Sequence, residues 1–185
     1  MRLCFTIATP SELHDDHRQN IWKIFEENMR ELYVTSSFGW DPNAKKLEMF
    51  DPLSRFILIE NIPADTGGSD TAESPGRSLL AYTIFRFERE AKEDVAYCYE
   101  LQVARTSQRL GLGKILTQHL LDIAAHWQMQ KVMLTVFKAN KSADAFYRSV
   151  GFSLDVTSPG YAEDEEGWED EDEECDYVIL SKPVS

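Results

Sequence analysis

The spacing of apolar and polar positions changes between helical and strand periodicity along the chain, which predicts an α/β domain. Residues 11–33 carry apolar side chains at helical spacing and begin with a serine that can cap a helix. Asp41 and Pro42 predict the start of a short second helix that ends near Met49, because proline is favoured in a first helical turn. The apolar run RFILIE at 55–60 is typical of a strand.

The second half of the chain alternates strands with helices. Residues 78–90 and 94–103 are predicted to form a hairpin around a short polar turn, and KVMLTVF at 131–137 is typical of a covered central strand. The remaining predicted elements are a helix from Gly111 to Trp127, a helix at 142–149, and strands at 151–156 and 176–181. This order predicts an α/β fold with a mixed sheet.

We expect one domain over residues 1–185, with amino-terminal helices in 1–50. The segment 61–77 is rich in Gly, Pro, Ser and Asp and is predicted to be a mobile loop. Residues 162–176 form an acidic loop between the last two predicted strands. Two interpretations of this loop stay open: a solvated insertion that aids solubility, or an anion that steers a cationic partner towards the protein.

Charge and cysteine content narrow the class of protein. The net charge is −13, but eleven of the 32 acidic residues lie between Glu163 and Asp176, so the rest of the chain is nearly neutral. An acidic segment disfavours nucleic acid and favours cationic partners. The three scattered cysteines predict neither a disulfide framework nor a zinc site. No apolar run is long enough for a membrane span or a secretory signal, so we expect a soluble intracellular protein.

The segment QRLGLGK connects the strand YCYELQV to a helix and resembles an anion-binding turn. Glycines at such a junction let backbone N–H groups face an anion, and the helix N-terminus adds positive potential. Arg109 and Lys114 add charge. The segment lacks the Gly-Lys-Ser/Thr ending of a P-loop, and Leu116 stands where a dinucleotide fingerprint has its third glycine.

Two motifs in the expected order resemble the GCN5-related N-acetyltransferases. Gln108-x-x-Gly111-x-Gly113 is similar to their acetyl-CoA pyrophosphate loop, and NKSADAFYRSVGF is similar to their last helix. The segments SSFGW, FRFE, YCYELQ, GLGK, QMQKVMLTVFKAN and YVILS further resemble the NatD-type N-terminal acetyltransferases, which are selective for histones that begin Ser-Gly-Arg-Gly. This closer resemblance runs from about residue 28 to 182.

The resemblance implies a fold and a co-substrate. The expected fold is a mixed, mostly antiparallel central sheet flanked by helices, with an amino-terminal helix packed on it. The co-substrate is acetyl-CoA, and no metal is required. Asn140 matches a residue that contacts the cofactor. The backbone expected to hold pantetheine and pyrophosphate comprises Leu101, Gln102, Val103, Gln108, Arg109, Leu110, Gly111, Leu112, Gly113 and Lys114.

Catalysis is expected at Glu100, Tyr99 and Tyr147. Glu100 is expected to accept the proton of the substrate α-amine, whose pKa near 8 suits a carboxylate or an ordered water. Strict alternation places Tyr97 and Tyr99 on one strand face and Glu100 on the other, so one shared site requires a β-bulge. The acetyltransferase fold has such a bulge here. In many of its members a tyrosine at the position of Tyr147 protonates the leaving thiolate.

Substrate selectivity is expected in the segment FRFERE. Glu88 and Glu90 alternate onto one strand face, where two carboxylates can hold the arginine at the third position of the substrate. The alternative is a set of exposed strand charges beside Arg86 and Arg89. The other residues that match substrate-contacting positions are Tyr33, Phe38, Arg89, Tyr97, Tyr99, Thr135, Thr157 and Tyr177.

The leading functional expectation is an enzyme that transfers acetyl from acetyl-CoA to the amino-terminal serine of histones, by direct attack in a ternary complex. The alternatives are an acetyltransferase for lysine or small amines and a non-catalytic acidic protein that binds histones. We expect histone N-terminal tails as partners, no direct contact with nucleic acid or membrane, a monomer, and a location in cytoplasm and nucleus.

Overall fold

In the part of the chain that the structure describes, seven strands form a single sheet in the order β1-β2-β3-β4-β5-β7-β6. The computed structural model describes residues 2–62, 77–161 and 175–184. The strands are β1 Arg2–Ala8, β2 Arg55–Ile62, β3 Ser78–Glu90, β4 Glu93–Val103, β5 Lys131–Phe137, β6 Ser153–Leu154 and β7 Tyr177–Pro183. The helices are α1 Asp15–Val34, α2 Pro42–Met49, α3 Leu112–His126 and α4 Lys141–Ser149.

All neighbouring strands are antiparallel except β4 and β5, which are parallel. The β3–β4 hairpin turns through Ala91 and Lys92, both at positive φ, as a two-residue turn that follows the twist of the strands requires. The parallel pairing of β4 with β5 ends at Cys98 and Leu134, although both strands continue. The fold is therefore the expected mixed, mostly antiparallel sheet.

Helices cover both faces of the sheet. Leu116 and Leu120 of α3 and Tyr147 of α4 belong to the apolar core on one face. On the other face, the α1 residues Ile21 and Phe25 pack with β2 and β3. The hydroxyl of Tyr82 donates to the carbonyl of Ile21 at 3.0 Å, which fixes α1 to β3. The expected packing of an amino-terminal helix on the sheet is confirmed.

The start of the chain corrects the prediction that residues 1–50 contain only helices. Residues 2–8 form β1, which pairs with β2 from Arg2 opposite Ile62 to Ala8 opposite Phe56. The sequence analysis assigned no strand here, and in the structure the large apolar side chains Phe5 and Ile7 lie on the exposed face of this edge strand. The first long helix begins at Asp15 rather than at residue 11, because Pro10–Glu12 forms a separate short turn.

Two predicted loops lie mostly outside the described residues. Residues 61 and 62 of the predicted 61–77 loop extend β2, and 63–76 are not described. Of the acidic loop 162–176, only Cys175 and Asp176 are described. The strand predicted at 151–156 is only two residues long. No helix within the described ranges is long and apolar enough to cross a membrane.

A buried ion pair joins the start of β5 to the residue that follows β6. The Lys131 ammonium lies 2.8 Å from Asp155 and 2.6 Å from Glu93. Asp155 also accepts hydrogen bonds from the backbone N–H and the hydroxyl of Thr157, at 2.9 and 2.7 Å. Burial opposes ionisation, but the donors on Lys131 and Thr157 hold the pKa of Asp155 well below its usual value.

Asp155→Ala is expected to lower the free energy of unfolding by about 2–4 kcal/mol at pH 7, because it leaves a buried ammonium with one partner fewer. This stabilisation is present above the unfolded-state pKa of about 3.9 and is lost as the pH falls below it. Urea unfolding at pH 7 measures the loss. The control Asp144→Ala removes an exposed pair with Arg148 and is expected to cost less than about 0.5 kcal/mol. Equal losses in the two variants would contradict the assignment.

Candidate active site

A β-bulge interrupts β4 at the expected position. Ile84 of β3 lies opposite Glu100, whereas the next residue, Phe85, lies opposite Cys98. Tyr99 is the extra residue, and the register on either side of it shifts by one. Bulges re-aim side chains. As a result Tyr99 and Glu100, which strict alternation would place on opposite faces, both line one cavity.

The divergence of β4 and β5 opens that cavity, which has a volume of about 1220 Å³. Beyond Cys98 and Leu134 the two strands no longer pair, so one backbone edge of residues 99–103 has no strand partner. Helices α3 and α4 and the loop before α3 contribute one wall, and α1 and α2 contribute another. An extended ligand with amide groups, such as pantetheine, can bind along such an edge.

The glycine loop lies at one end of the cavity. Gly111 adopts φ 81° and Arg109 φ 64°, and no side chain caps the helix that starts at Leu112. The first N–H groups of α3 are therefore available to an anion. A Cβ on Gly113 would lie 3.2 Å from the ring of Phe146, so this glycine also permits close packing of α3 on α4. These features fit the pyrophosphate of acetyl-CoA.

Asn140 uses its side chain to begin α4. Its amide oxygen accepts hydrogen bonds from the N–H of Ala143 at 3.2 Å and from the hydroxyl of Ser142 at 3.1 Å. All three residues also line the cavity. The side-chain oxygen of Asn140 therefore fixes the N-terminus of a helix that forms the cavity wall, and its contact with the cofactor stays a prediction.

Glu100 is a buried carboxylate held by two donors. One carboxylate oxygen lies 2.8 Å from the ammonium of Lys45, and the other accepts a hydrogen bond from the Gln102 amide at 2.8 Å. Burial, and then the nearby Glu100 carboxylate, raise the pKa of Tyr33 to about 12. The buried carboxyl group of Glu100 thus lies close to a phenol that stays protonated at neutral pH.

A second carboxylate group lies on β3. Glu88 and Glu90 both line the cavity, and the hydroxyl of Tyr99 donates to Glu88 at 2.6 Å. Burial and this hydrogen bond raise the pKa of Tyr99. The Arg86 guanidinium lies 4.2 Å from the centroid of the Tyr99 ring, which holds the ring from its other side. Two carboxylates on one face can bind a guanidinium.

Aromatic rings form the remaining wall of the acceptor end. Phe38 lies 5.5 Å from Phe137 and 5.4 Å from Tyr177 between ring centroids. The carboxylate of Asp176 accepts hydrogen bonds from the N–H of Ser37 at 2.6 Å and from its hydroxyl at 2.8 Å. These contacts connect the loop between α1 and α2 to the start of β7 across the sheet.

Tyr147 packs edge-on against Phe152, with 5.6 Å between ring centroids, and lines the cavity. Burial, and then the neighbouring Cys98 and Glu100, raise its pKa well above the usual value. The phenol is therefore protonated at neutral pH, and its role as the proton donor to the thiolate stays a prediction.

Most of the predicted site residues line this one cavity. Three do not. Arg89 is exposed and pairs with Asp94 at 3.1 Å. Leu110 is exposed, and Tyr177 contacts Phe38 without lining the cavity. Arg89 faces outward because Glu88 and Glu90, its neighbours along β3, face the cavity.

Lys45 and Glu48 of α2 were missed. Lys45 and Met49 are the buried residues of α2, one helical turn apart. A lysine at an apolar helix position is the signal that could have revealed a buried ion pair. The hydroxyl of Tyr97 is also engaged, since it lies 2.6 Å from that of Thr135 on β5.

The sheet splits between β4 and β5, and the resulting cavity has a glycine loop at one end. Residues 21–152 match the model of the acetyltransferase (GNAT) family, and the chain belongs to this family. It is an N-acetyltransferase by family. Within the described parts of the chain, no group of three or more His, Cys, Asp or Glu is placed to hold a metal ion.

Two relatives and one solved structure are similar to the chain. The 5-NmdU N-acetyltransferase of Pseudomonas phage PaMx11 is 31% identical over 63% of this chain and 80% of the phage enzyme. The [ribosomal protein bS18]-alanine N-acetyltransferase of Escherichia coli is 30% identical over 50% of this chain and 58% of that enzyme. The NatC complex bound to Gag peptide and CoA has a TM-score of 0.62, with 15% identity and full coverage of both chains. The last likeness supports the fold alone.

Proposed function

We propose that this enzyme acetylates the α-amine of proteins that begin Ser-Gly-Arg-Gly, such as histones, and uses acetyl-CoA as the donor. The observation that carries the proposal is the cavity in which the buried Glu100 carboxylate and the Glu88–Glu90 pair face one space. An acceptor amine beside Glu100 and a basic side chain beside Glu88 and Glu90 satisfy both groups of carboxylates at once.

The proposed chemistry is a direct transfer. The substrate ammonium gives a proton to Glu100, either directly or through a water, and the free amine then attacks the thioester carbonyl carbon. The new C–N bond forms as the C–S bond breaks. In the proposed step the Tyr147 phenol protonates the thiolate of CoA, and the second proton of the nitrogen restores that phenol, so the net proton released is the one that Glu100 accepts. Backbone N–H groups freed by the bulge at Tyr99 are available to the developing oxyanion.

The aromatic wall supports a preference for a small second residue. Phe38, Phe137 and Tyr33 form mutual edge-to-face contacts, with centroid distances of 5.1 to 6.3 Å. A residue without a side chain fits most easily against such a wall. Glycine, at the second position of the proposed substrate, is such a residue.

The acceptor is the part of the proposal that the relatives leave open. One relative is named for a ribosomal-protein alanine, and the other for 5-NmdU. Membership of the family is therefore compatible with either an N-terminal amine or another amine as the acetyl acceptor. The Glu88–Glu90 pair favours an acceptor with a cationic side chain near the amine.

The test is steady-state acetylation of a Ser-Gly-Arg-Gly peptide with a free or a formylated amino terminus. We expect turnover of the free peptide and none of the blocked one. A peptide with a free amino terminus but no basic residue is the matched control, and we expect slower turnover. Equal turnover of the free and blocked peptides would contradict the proposal. Tight binding of the free peptide without turnover would instead indicate a non-catalytic histone-binding protein.

A further inference from the structure

Lys45 places a buried ammonium in the wall of the active-site cavity. The residue is 8% exposed, and its Nζ lies 2.8 Å from Glu100 and 2.6 Å from Glu48. The ring centroids of Phe25 and Tyr33 lie 5.3 and 5.2 Å from the same Nζ. A charge in such surroundings requires a partner, and Glu100 is the more deeply buried of its two carboxylates.

The pair differs from the other buried lysine pair of the described chain. Lys131 joins Asp155 outside the cavity, where it can only stabilise the fold. Lys45 joins the residue to which the proton transfer is assigned. Lys45 binds one carboxylate oxygen of Glu100, and the Gln102 amide donates to the other. Together they hold the carboxylate in a single orientation.

We infer that Lys45 is a positioning residue for acetyl transfer: it orients the Glu100 carboxylate and serves as its counter-charge. The inference rests on the proposed function. A buried carboxylate without a counter-charge takes up a proton more readily, and a protonated carboxyl group cannot accept one from the amine. The Lys45 ammonium favours the ionised form, so the carboxylate stays available as the proton acceptor at lower pH.

Lys45 does not itself accept the proton. Burial alone would lower its pKa, but the carboxylates of Glu100 and Glu48 and the phenol of Tyr33 raise it above the usual value. The ammonium keeps its three protons throughout the reaction, and the proton lost by the substrate goes to Glu100.

Several other titratable groups face this pair and remain unchanged in the comparison below. They are Tyr33 on α1, Glu48 on α2, Tyr82 and Arg86 on β3, Cys98 and Tyr99 on β4, and Tyr147 on α4. A shift caused by Lys45 alone is therefore measured against a constant background.

The first test is the pH profile of kcat/KM for Lys45→Met, which keeps the unbranched stem, one atom shorter, and removes the charge. We expect a loss of about 10- to 30-fold at pH 7 and an acidic limb that moves to higher pH by about one unit. The control is Lys46→Met. Lys46 is the next residue on α2, lies 4.4 Å from the Trp22 ring and lines no part of the cavity, so we expect an unchanged profile. An unmoved acidic limb in Lys45→Met would overturn the inference.

The second test separates positioning from a purely structural role. In a Glu100→Gln background, Lys45→Met is expected to change kcat by no more than about threefold, because the carboxylate it acts through is gone. A further loss of about tenfold or more would overturn the inference. The double variant has no Glu100 carboxylate that could be left buried without a partner. The comparison therefore still tests the role of Lys45 if the single variant Lys45→Met does not fold.

The proposed function and this inference fail in different ways. A wild-type enzyme that acetylates a lysine side chain of the peptide but no α-amine contradicts the proposed acceptor. The pH profiles of the wild type and of Lys45→Met are then compared with the lysine-containing peptide as the substrate. A wild-type enzyme that acetylates the α-amine, together with a Lys45→Met variant of unchanged profile, contradicts the inference alone.

Discussion

Glu100→Gln is expected to lower kcat by about a hundredfold or more and to leave the Kd for acetyl-CoA within about twofold. Glutamine keeps the size of the side chain, and its carbonyl oxygen can still accept a hydrogen bond from Lys45, but its NH2 group can accept neither the hydrogen bond from Gln102 nor the proton of the amine. The glycine loop at Gly111 and Gly113, where the pyrophosphate is expected, is unaffected. Steady-state kinetics and calorimetric titration with acetyl-CoA measure the two quantities.

The matched control for this variant is Glu60→Gln. Glu60 is another buried carboxylate on a strand, and it lies 3.2 Å from His17 outside the cavity. We expect unchanged kcat in this control. A Glu100→Gln variant with near-normal kcat would show that another group, or solvent, accepts the proton.

Replacing arginine by alanine at the third position of the peptide is expected to lower kcat/KM by about 30- to 100-fold. A charge-assisted hydrogen bond contributes about 1.5–3 kcal/mol, and loss of the guanidinium leaves two carboxylates without a cation. Glu88 and Glu90 are both partly buried, so water compensates only in part. Competition between the two peptides in one reaction measures the ratio directly.

The double variant Glu88→Gln/Glu90→Gln assigns this selectivity to the two carboxylates. We expect it to discriminate between the arginine and alanine peptides by no more than a few fold, because the charges that select the guanidinium are absent. The control Asp94→Asn removes an exposed carboxylate of the same hairpin that lies outside the cavity, and it should discriminate as the wild type does. Full discrimination by the double variant would place the arginine elsewhere.

Local signals were sufficient for the central elements of the fold. The helix at 112–126 has a continuous apolar stripe and a glycine at its start, so its bounds were predicted to within a residue. The hairpin turn at Ala91 was found from two long strands around a polar break. The β1 strand could not be predicted, because only its pairing with β2 makes seven residues at a sheet edge stable.

The candidate site was predictable where it depends on the backbone and less so where it depends on packing. Motif spacing located the glycine loop, and the bulge at Tyr99 followed from the family resemblance. Periodicity alone would have put Tyr99 and Glu100 on opposite faces. The apolar helix position of Lys45 indicates a buried ammonium, but Lys45 lies 55 positions before Glu100, and neither local segment indicates which carboxylate it meets.

The position of the acetyl group in the product tests the central claim most directly. A peptide that begins Ser-Gly-Arg-Gly and contains a later lysine offers the enzyme an α-amine and a side-chain amine in one molecule. After partial reaction with acetyl-CoA, fragmentation mass spectrometry locates the new acetyl group. We predict that it is on the α-amine of the serine. Acetyl on the lysine with a free α-amine would contradict the account.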